Sequence, residues 1–263
     1  MAFKFHNFYF SLVSVISFIL SIPILVSGIW LIIRSTQTKC ELLYLEVPLI
    51  SCGLILLIVS ALGIVSAQLR QEWLVIVYWI VMGVAVWVLF GFTVWGLVIS
   101  GHGGGEVVKG SGFKEYKLDM YHHWFKRRIN VENKWNCIRK CLRERNVCDS
   151  LSEQENLSPK QFYLQHLSSI QSGCCKPPTQ CGLVYRSPTH YDRPVSFKSS
   201  NPDCTSWNNT DLCFNCNACK AGVLENMRMD WKIVGKISIV CVIFLILIWF
   251  GISVFICGVV LGN

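Results

Sequence analysis

Charged residues are scarce in this chain: 24 Lys or Arg and 16 Asp or Glu among 263 residues, against 52% hydrophobic. The scarcity is uneven, because four runs, Leu12 to Ile33, Val47 to Ala67, Leu74 to Ser100 and Ile237 to Gly262, contain none. Each run reaches the roughly 20 residues a helix needs to cross a bilayer, whereas apolar stretches of about 10–14 belong to buried core helices. A soluble globular fold is thereby excluded. The lack of ionisable groups inside the runs also counts against a small channel or transporter, which places such groups within the bilayer. A cleaved signal peptide is a poor reading of the first run, because its apolar region would span about 7–15 residues. This run continues through "PILVSGIWLII", as a helix kinked near Pro23.

Catalytic arrays are lacking as well. The glycine-rich "GHGGGEVVKGS" is not a P-loop, since that motif needs Lys and then Ser or Thr directly after its last glycine, and here Lys109 precedes Gly110. It reads as a flexible exit from the third run. His122 and His123 are adjacent, so on a helix they point about 100° apart and do not clamp one metal together. No Ser/His/Asp array or paired-carboxylate spacing stands out, and the chain does not read as an enzyme. The formal charge of +8 resides mostly between the third and fourth runs. It forms no basic stripe of the kind that binds nucleic acid, so nucleic acid is excluded as a partner.

Tryptophans at 30, 73, 95 and 231 fall near the run ends, where an amphipathic indole prefers the membrane interface. Gly53, Ser60 and Gly63 in the second run, with Gly83 and Gly91 in the third, allow close backbone approach between helices in lipid. The fold class is therefore an all-α membrane protein, a four-transmembrane-helix bundle with a disulfide-rich, mainly helical large loop between helices 3 and 4. Its expected parts are an N-terminal segment 1–11, spans 12–33, 47–67, 74–100 and 237–262, a small loop 34–46, a tight loop 68–73, a large loop 101–236, and residue 263. An even number of spans puts both termini on one side. Cysteine decides which side: Cys137, Cys141, Cys148, Cys174, Cys175, Cys181, Cys204, Cys213, Cys216 and Cys219 all lie in the large loop. That density belongs to oxidising compartments. The loop is thus placed outside the cell or in a secretory lumen, with the termini cytoplasmic. Asn208 in "NNT" and Asn156 in "NLS" fit the glycosylation pattern, with Pro159 weakening the second.

Within the large loop, Phe113, Tyr116, Met120 and Trp124 recur at steps of three and four, the spacing of a helix face. Trp135, Ile138 and Leu142 continue it, and Val223, Met227 and Trp231 form a further stripe leading into the fourth run. Between these stems "RSPTHYDRPVSFKSSNPDCTSWNNTD" has the composition of an irregular, turn-filled segment. Such a segment buries little core and depends on disulfides, worth about 2–4 kcal/mol each. In "CFNCNAC", Cys213, Cys216 and Cys219 form two overlapping CxxC units, a spacing shared by zinc sites and thiol oxidoreductases. No βαβ pattern surrounds it and seven other cysteines accompany it, so structural disulfides are the preferred reading over metal binding or an extracellular thiol oxidoreductase.

Four spans, a short first loop, a tiny second loop and a large cysteine-rich third loop with adjacent cysteines resemble the tetraspanins. "GCCKPP", "GFKEYKLDMYHHWF" and "LCFNCNACKAGVLENM" look like the land-plant branch, and the resemblance covers essentially the whole chain. It implies a plasma-membrane scaffold that organises other membrane proteins into lateral microdomains and associates with other tetraspanins, in cell differentiation, development or cell-to-cell communication. The family's disulfide framework carries over onto Cys40, Cys141, Cys148, Cys174, Cys175, Cys181, Cys204, Cys213, Cys216 and Cys219. Cys137 departs from the plant pattern and makes the outer count odd, so it is the expected spare thiol. The family's inner-edge palmitoylation has one candidate, Cys257. No cofactor is implied, although a sterol or lipid held between the helices could be lined by Gly and Ser of the first two spans. Adjacent cysteines are badly placed to bond each other. Cys174 and Cys175 are therefore expected to reach different partners, one near Cys204 and the other among the cysteines before span four.

Overall fold

The computed structural model describes residues 2–36, 46–69, 72–154, 156–195 and 199–261. In chain order these form α1 (Ala2–Thr36), α2 (Glu46–Leu69), α3 (Glu72–Gly101), β1 (Gly105–Val107), β2 (Lys114–Tyr116), α4 (His123–Ile129), α5 (Glu132–Glu144), α6 (Asp149–Ser152), α7 (Pro159–Tyr163), α8 (Ser169–Cys174), β3 (Val184–Ser187), β4 (His190–Asp192), α9 (Pro202–Ser206) and α10 (Asn217–Leu261). Two compact units result. Of the described residues, one holds 2–36, 46–69, 72–97 and 232–261, the other 98–154, 156–195 and 199–231.

Stretches Ser11–Leu31, Val75–Gly101 and Asn217–Val254 lie on helices long and apolar enough to cross a bilayer, and α2 carries the shorter apolar stretch Ile50–Val65. The buried positions explain how these helices pack. On α1 they include the series Ser14, Ser17, Ser21, Ile24, Gly28 and Leu31, flanked by Val13 and Ser27; on α2, the series Gly53, Leu56, Ser60 and Gly63, flanked by Cys52 and Val59. Both series alternate steps of three and four, the seam of left-handed helix pairs. Three of the α1 serines are satisfied within their own helix: Ser17, Ser21 and Ser27 donate to the carbonyls of Val13, Phe18 and Ile24 at 2.9, 2.7 and 2.8 Å. The glycines are filled by neighbours, Gly28 by Ile50, Gly53 by Leu25 and Gly63 by Ser14 and Tyr78. Gly and Ser of the first two spans are thus in close packing contact. An apolar cavity of about 380 Å³ lies on α3 and α10, lined by Trp79, Gly83, Trp87 and Trp249 among others. There Trp79 stacks on Trp249 at 5.5 Å and donates to Ser253 Oγ at 2.8 Å.

The second unit holds the large loop, whose regular structure is chiefly helical, with two short antiparallel hairpins, β1–β2 and β3–β4. The stripe on α5 is buried as its spacing indicates, with Trp135, Ile138 and Leu142 at most 5% exposed. Asn146 ends that helix in the left-handed conformation, φ 51°, a position where Asn is tolerated. Two short helices start at serine caps that the sequence spells out. Ser158 and Ser168 each accept from a glutamine backbone N–H three residues on, and Gln161 and Gln171 reach back to the cap.

The helix expected from Phe113 begins only at His123, which corrects the first stripe. Lys114–Tyr116 is extended and pairs with Gly105–Val107. Extension frees the Lys114 carbonyl to accept from Ser172 Oγ at 2.5 Å, whereas in a helix that carbonyl would be committed to its own chain. Phe113 is buried, but Met120 is 46% exposed. The expected flexible exit is likewise ordered into β1.

Its approach is fastened by a buried cluster. Tyr121 Oη donates to Glu225 Oε2 at 3.0 Å, and Arg228 Nη1 donates to both Glu225 oxygens at 2.7 and 2.9 Å. Arg228 Nε reaches the Ser100 carbonyl at 2.9 Å. Gly103, at φ +111°, passes against the Tyr121 ring where a side chain would collide. Burial and the Glu225 charge push the Tyr121 phenol far above its ordinary pKa, so it stays protonated and keeps the proton it donates to Glu225. Tyr121→Phe removes one hydrogen bond to a charged group and is expected to cost about 1.5–3 kcal/mol. The unfolding midpoint of the detergent-solubilised chain checks this, and an unchanged midpoint refutes it.

Candidate interaction site: the GCCKPP junction and its subloop

Helix α8 ends in Gly173 and Cys174. Gly173 lies directly on α10, where an added Cβ would strike the Ala218 carbonyl oxygen, and Gly222 lies reciprocally on the Ser169 carbonyl. Both contacts are backbone against backbone. This approach brings Cys174 within disulfide range of Cys219, at a Cα separation of 4.3 Å. Cys175 turns the other way and bonds Cys148, Cα atoms 5.4 Å apart. Adjacent cysteines thus tie α8 to two different parts of the chain.

The partner expected near Cys204 is corrected: Cys204 bonds Cys181, and Cys213 bonds Cys216. Cys175 is held at the end of α8 facing the α5–α6 turn, while Pro177 and Pro178 carry the chain on to Cys181 before it meets Cys204. All eight sulfur-bearing residues are at most 6% exposed. Cys141, expected in the framework, is buried on α5 and belongs to none of these four bridges. Cys40 lies outside the described residues. Cys137 is exposed on α5, and Cys257 is exposed on α10. The CxxC unit is a closed bond whose two cysteines have no exposed surface, and Cys219 is bonded to Cys174. As disulfides these sulfurs offer zinc no thiolate, and their burial keeps them from a thiol-exchange partner.

The lysine of GCCKPP is a feature the residue pattern did not flag. Lys176 is 1% exposed, lies 4.6 Å from the Phe113 ring centroid, and pairs with the Glu115 carboxylate. Glu115 also accepts from Thr179 N at 2.9 Å and Thr179 Oγ1 at 2.8 Å. Burial pulls the Lys176 ammonium below its ordinary pKa, opposed by the Glu115 charge. A signal existed: a lysine between cysteines and prolines has little freedom to reach water. Asp203 is a second such feature. Its carboxylate, in a residue 6% exposed, accepts from Asn217 N at 2.7 Å and Ala218 N at 2.8 Å, capping the start of α10. Its neighbour Cys204 fixes it there.

The Cys181–Cys204 bridge closes a subloop whose expected irregularity is partly replaced by order. Gly182 leaves the cysteine at φ +61°, and β3 and β4 follow with a bulge between Tyr185 and Ser187. Tyr191 packs edge-on to Trp207 at 5.6 Å, both nearly buried. Asn209 clips the hairpin by accepting from Tyr191 N at 3.1 Å and donating to its carbonyl at 3.2 Å. Arg193 donates to the Trp207 carbonyl at 2.9 Å. Beside these groups opens a cavity of about 510 Å³ whose polar wall includes Asp192, Arg193, Ser206, Asn208, Asp211 and Asn215. Asn208 is exposed at its edge, and Asn156 is exposed before α7. The result is an exposed tip, cross-linked by these hydrogen bonds, on stems tied by disulfides.

Comparison with known proteins agrees with this architecture. The tetraspanin family model matches residues 6–259. Among curated proteins, Tetraspanin-8 of Arabidopsis thaliana is 40% identical over 235 residues, covering 88% of this chain and 85% of that protein. Tetraspanin-7 and Tetraspanin-3 of the same plant are each 37% identical over 89% of this chain, covering 89% and 82% of their own lengths. No solved structure matches. With apolar helices in the spacing described, a GCC junction tying a disulfide-rich loop, and a family match from end to end, this chain is a multi-pass membrane protein and belongs to the tetraspanins, a family of non-enzymatic membrane scaffolds.

Proposed function

We propose that the chain acts at the plasma membrane as an organiser of lateral microdomains in cell differentiation, development or cell-to-cell communication. In this reading the large loop lies outside, both termini are cytoplasmic, and the spans are those set out from the sequence. The subloop and the lipid-facing helix surfaces bind other membrane proteins, tetraspanins among them. Cys40 and Cys141 complete the framework, Asn208 carries a glycan, and Cys257 is available for acylation. The observation that carries the reading is the subloop itself. Its interior is clipped by Asn209, Arg193 and the Cys181–Cys204 bridge, while Val184 and Arg186 stay exposed. A preordered exposed surface binds without the entropy cost of ordering a loop.

Val184→Asp combined with Arg186→Glu tests it by mild-detergent purification. The variant is expected to reach the surface normally yet lose a defined subset of co-purifying membrane proteins. A central contact is worth about 2 kcal/mol or more, roughly thirtyfold in affinity. A parental chain that purifies as a solitary monomer and conducts ions in liposomes would overturn the scaffold reading in favour of a channel.

A further inference from the structure

We propose that the first N-acetylglucosamine on Asn208 folds back into the polar cavity beside it, so that the chain's own glycan fills the tip of the subloop. The inference rests on the proposed glycosylation of Asn208 and deepens it by naming where the sugar sits. Asn208 Oδ1 accepts from Thr210 N at 3.1 Å, an Asx turn that leaves Nδ2 for the linkage. In the transfer, Nδ2 loses one proton and bonds the anomeric C1 of a lipid-pyrophosphate-linked oligosaccharide. The C1–O bond to the pyrophosphate breaks, and the lipid pyrophosphate leaves. The attachment atom then belongs to a residue lining the cavity.

Size and chemistry fit that occupant. A volume of about 510 Å³ lies in the range of small-ligand sites. The cavity's carboxylates are already matched: Asp192 pairs with Arg186, and Asp211 with Arg143 at 2.9 Å. Arg193 is turned to the carbonyls of Trp207 and Thr205, at 2.9 and 3.4 Å. An ammonium group would find no unbalanced counter-charge, and an apolar anchor would desolvate carboxylates and amides without return. A neutral ligand rich in hydroxyls, with one acetamido group, meets the Nδ2 of Asn215 and the hydroxyl oxygens of Thr205 and Ser206, which donate to the Pro202 carbonyl and keep their lone pairs as acceptors. Tyr191 and Trp207 lie beneath them, nearly buried. The cavity is also preformed, because the Cys181–Cys204 and Cys213–Cys216 bridges flank it. Covalent attachment makes seating intramolecular, so even weak contacts fill the site.

The test uses the full-length chain made in mammalian cells restricted to high-mannose glycans. Peptide mass mapping first reports whether Asn208 is modified. The native, detergent-solubilised protein is then digested with an amidase that cuts between Asn208 Nδ2 and the first sugar. Seating is expected to slow this cut about tenfold, the factor supplied by one or two net hydrogen bonds. The Ser206→Ala/Asn215→Ala variant, altered only at exposed positions, should regain the rate seen on denatured parental chain. An endoglycosidase acting one sugar further out should cut both proteins alike. Equal amidase rates on parent and variant overturn the seating while leaving glycosylation intact. An unmodified Asn208 overturns both together.

Discussion

Gly173→Ala is expected to stop the chain from reaching the cell surface. The added methyl would meet the Ala218 carbonyl oxygen inside contact distance, and Gly222→Ala would do the same against Ser169. Neither collision can be relieved by turning a side chain, because backbone stands on both sides. Nor can the helices part, since Cys174 and Cys219 join them within a turn of each glycine. Overpacking in ordinary cores costs about 1–3 kcal/mol where side chains can adjust. A forced backbone shift costs more and consumes much of the roughly 5–15 kcal/mol that holds a domain folded. Surface labelling in intact cells should fall at least about tenfold for either variant, with scrambled or missing bridges on non-reducing peptide maps. Gly91→Ala is the control, because nothing lies within 4 Å of its added methyl. Cys174→Ser and Cys175→Ser should share the export defect, each removing a bridge worth about 2–5 kcal/mol in a small domain. Parental surface levels with native bridges in Gly173→Ala would show that α8 and α10 do not meet as described.

The parts of this molecule legible in its sequence are those where one physical demand dominates. Hydrocarbon requires a long uncharged helix, so the four apolar runs stand out. An oxidising compartment permits many cysteines, and neighbouring cysteines must diverge, so the split of Cys174 and Cys175 could be anticipated. The α5 stripe was readable because its buried face repeats for three turns. Legibility ended where distant segments compete for the same atoms. Phe113 to Trp124 carries a helical spacing, yet Lys114 and Glu115 are drawn into extended backbone by Ser172, Lys176 and Thr179, some sixty residues away. Which cysteine meets Cys204 depends on how far Pro177 and Pro178 carry the chain from α8, a property of three dimensions. Asp203 reads locally as part of an Asn-Pro-Asp turn. Its work at α10 becomes visible only when Cys204 is bonded to Cys181. Local periodicity thus located the stems, while the subloop is set by long-range pairing that leaves no periodic trace.

Lys176→Met is expected to destabilise the chain by about 3–5 kcal/mol, the cost of leaving one member of a buried ion pair without its partner. The pair is unequal: Lys176 is 1% exposed, whereas the Glu115 side chain keeps 18%. Deleting the lysine strands a carboxylate that still holds Thr179 N and Oγ1, and so loses less than the full charge burial would suggest. Glu115→Gln is therefore the harsher variant. It keeps an acceptor for Thr179 but leaves a buried ammonium facing Phe113 and the Pro177 carbonyl, 3.3 Å away. That lysine can shed its charge because burial already draws its pKa down. The sign follows: with the carboxylate gone, the folded state resists protonation of Lys176 more strongly. Glu115→Gln should therefore be more stable relative to the parent as pH rises toward the ordinary lysine range and less so as pH falls. The double variant Lys176→Met/Glu115→Gln removes both charges, keeps the Thr179 acceptor, and should recover more than half of the single-variant loss. Unfolding midpoints of the four detergent-solubilised proteins at pH 6 and pH 9 close the cycle. If the two single losses simply add in the double variant, GCCKPP does not depend on a coupled Lys176–Glu115 pair, and its lysine is a packed aliphatic stem whose charge is incidental.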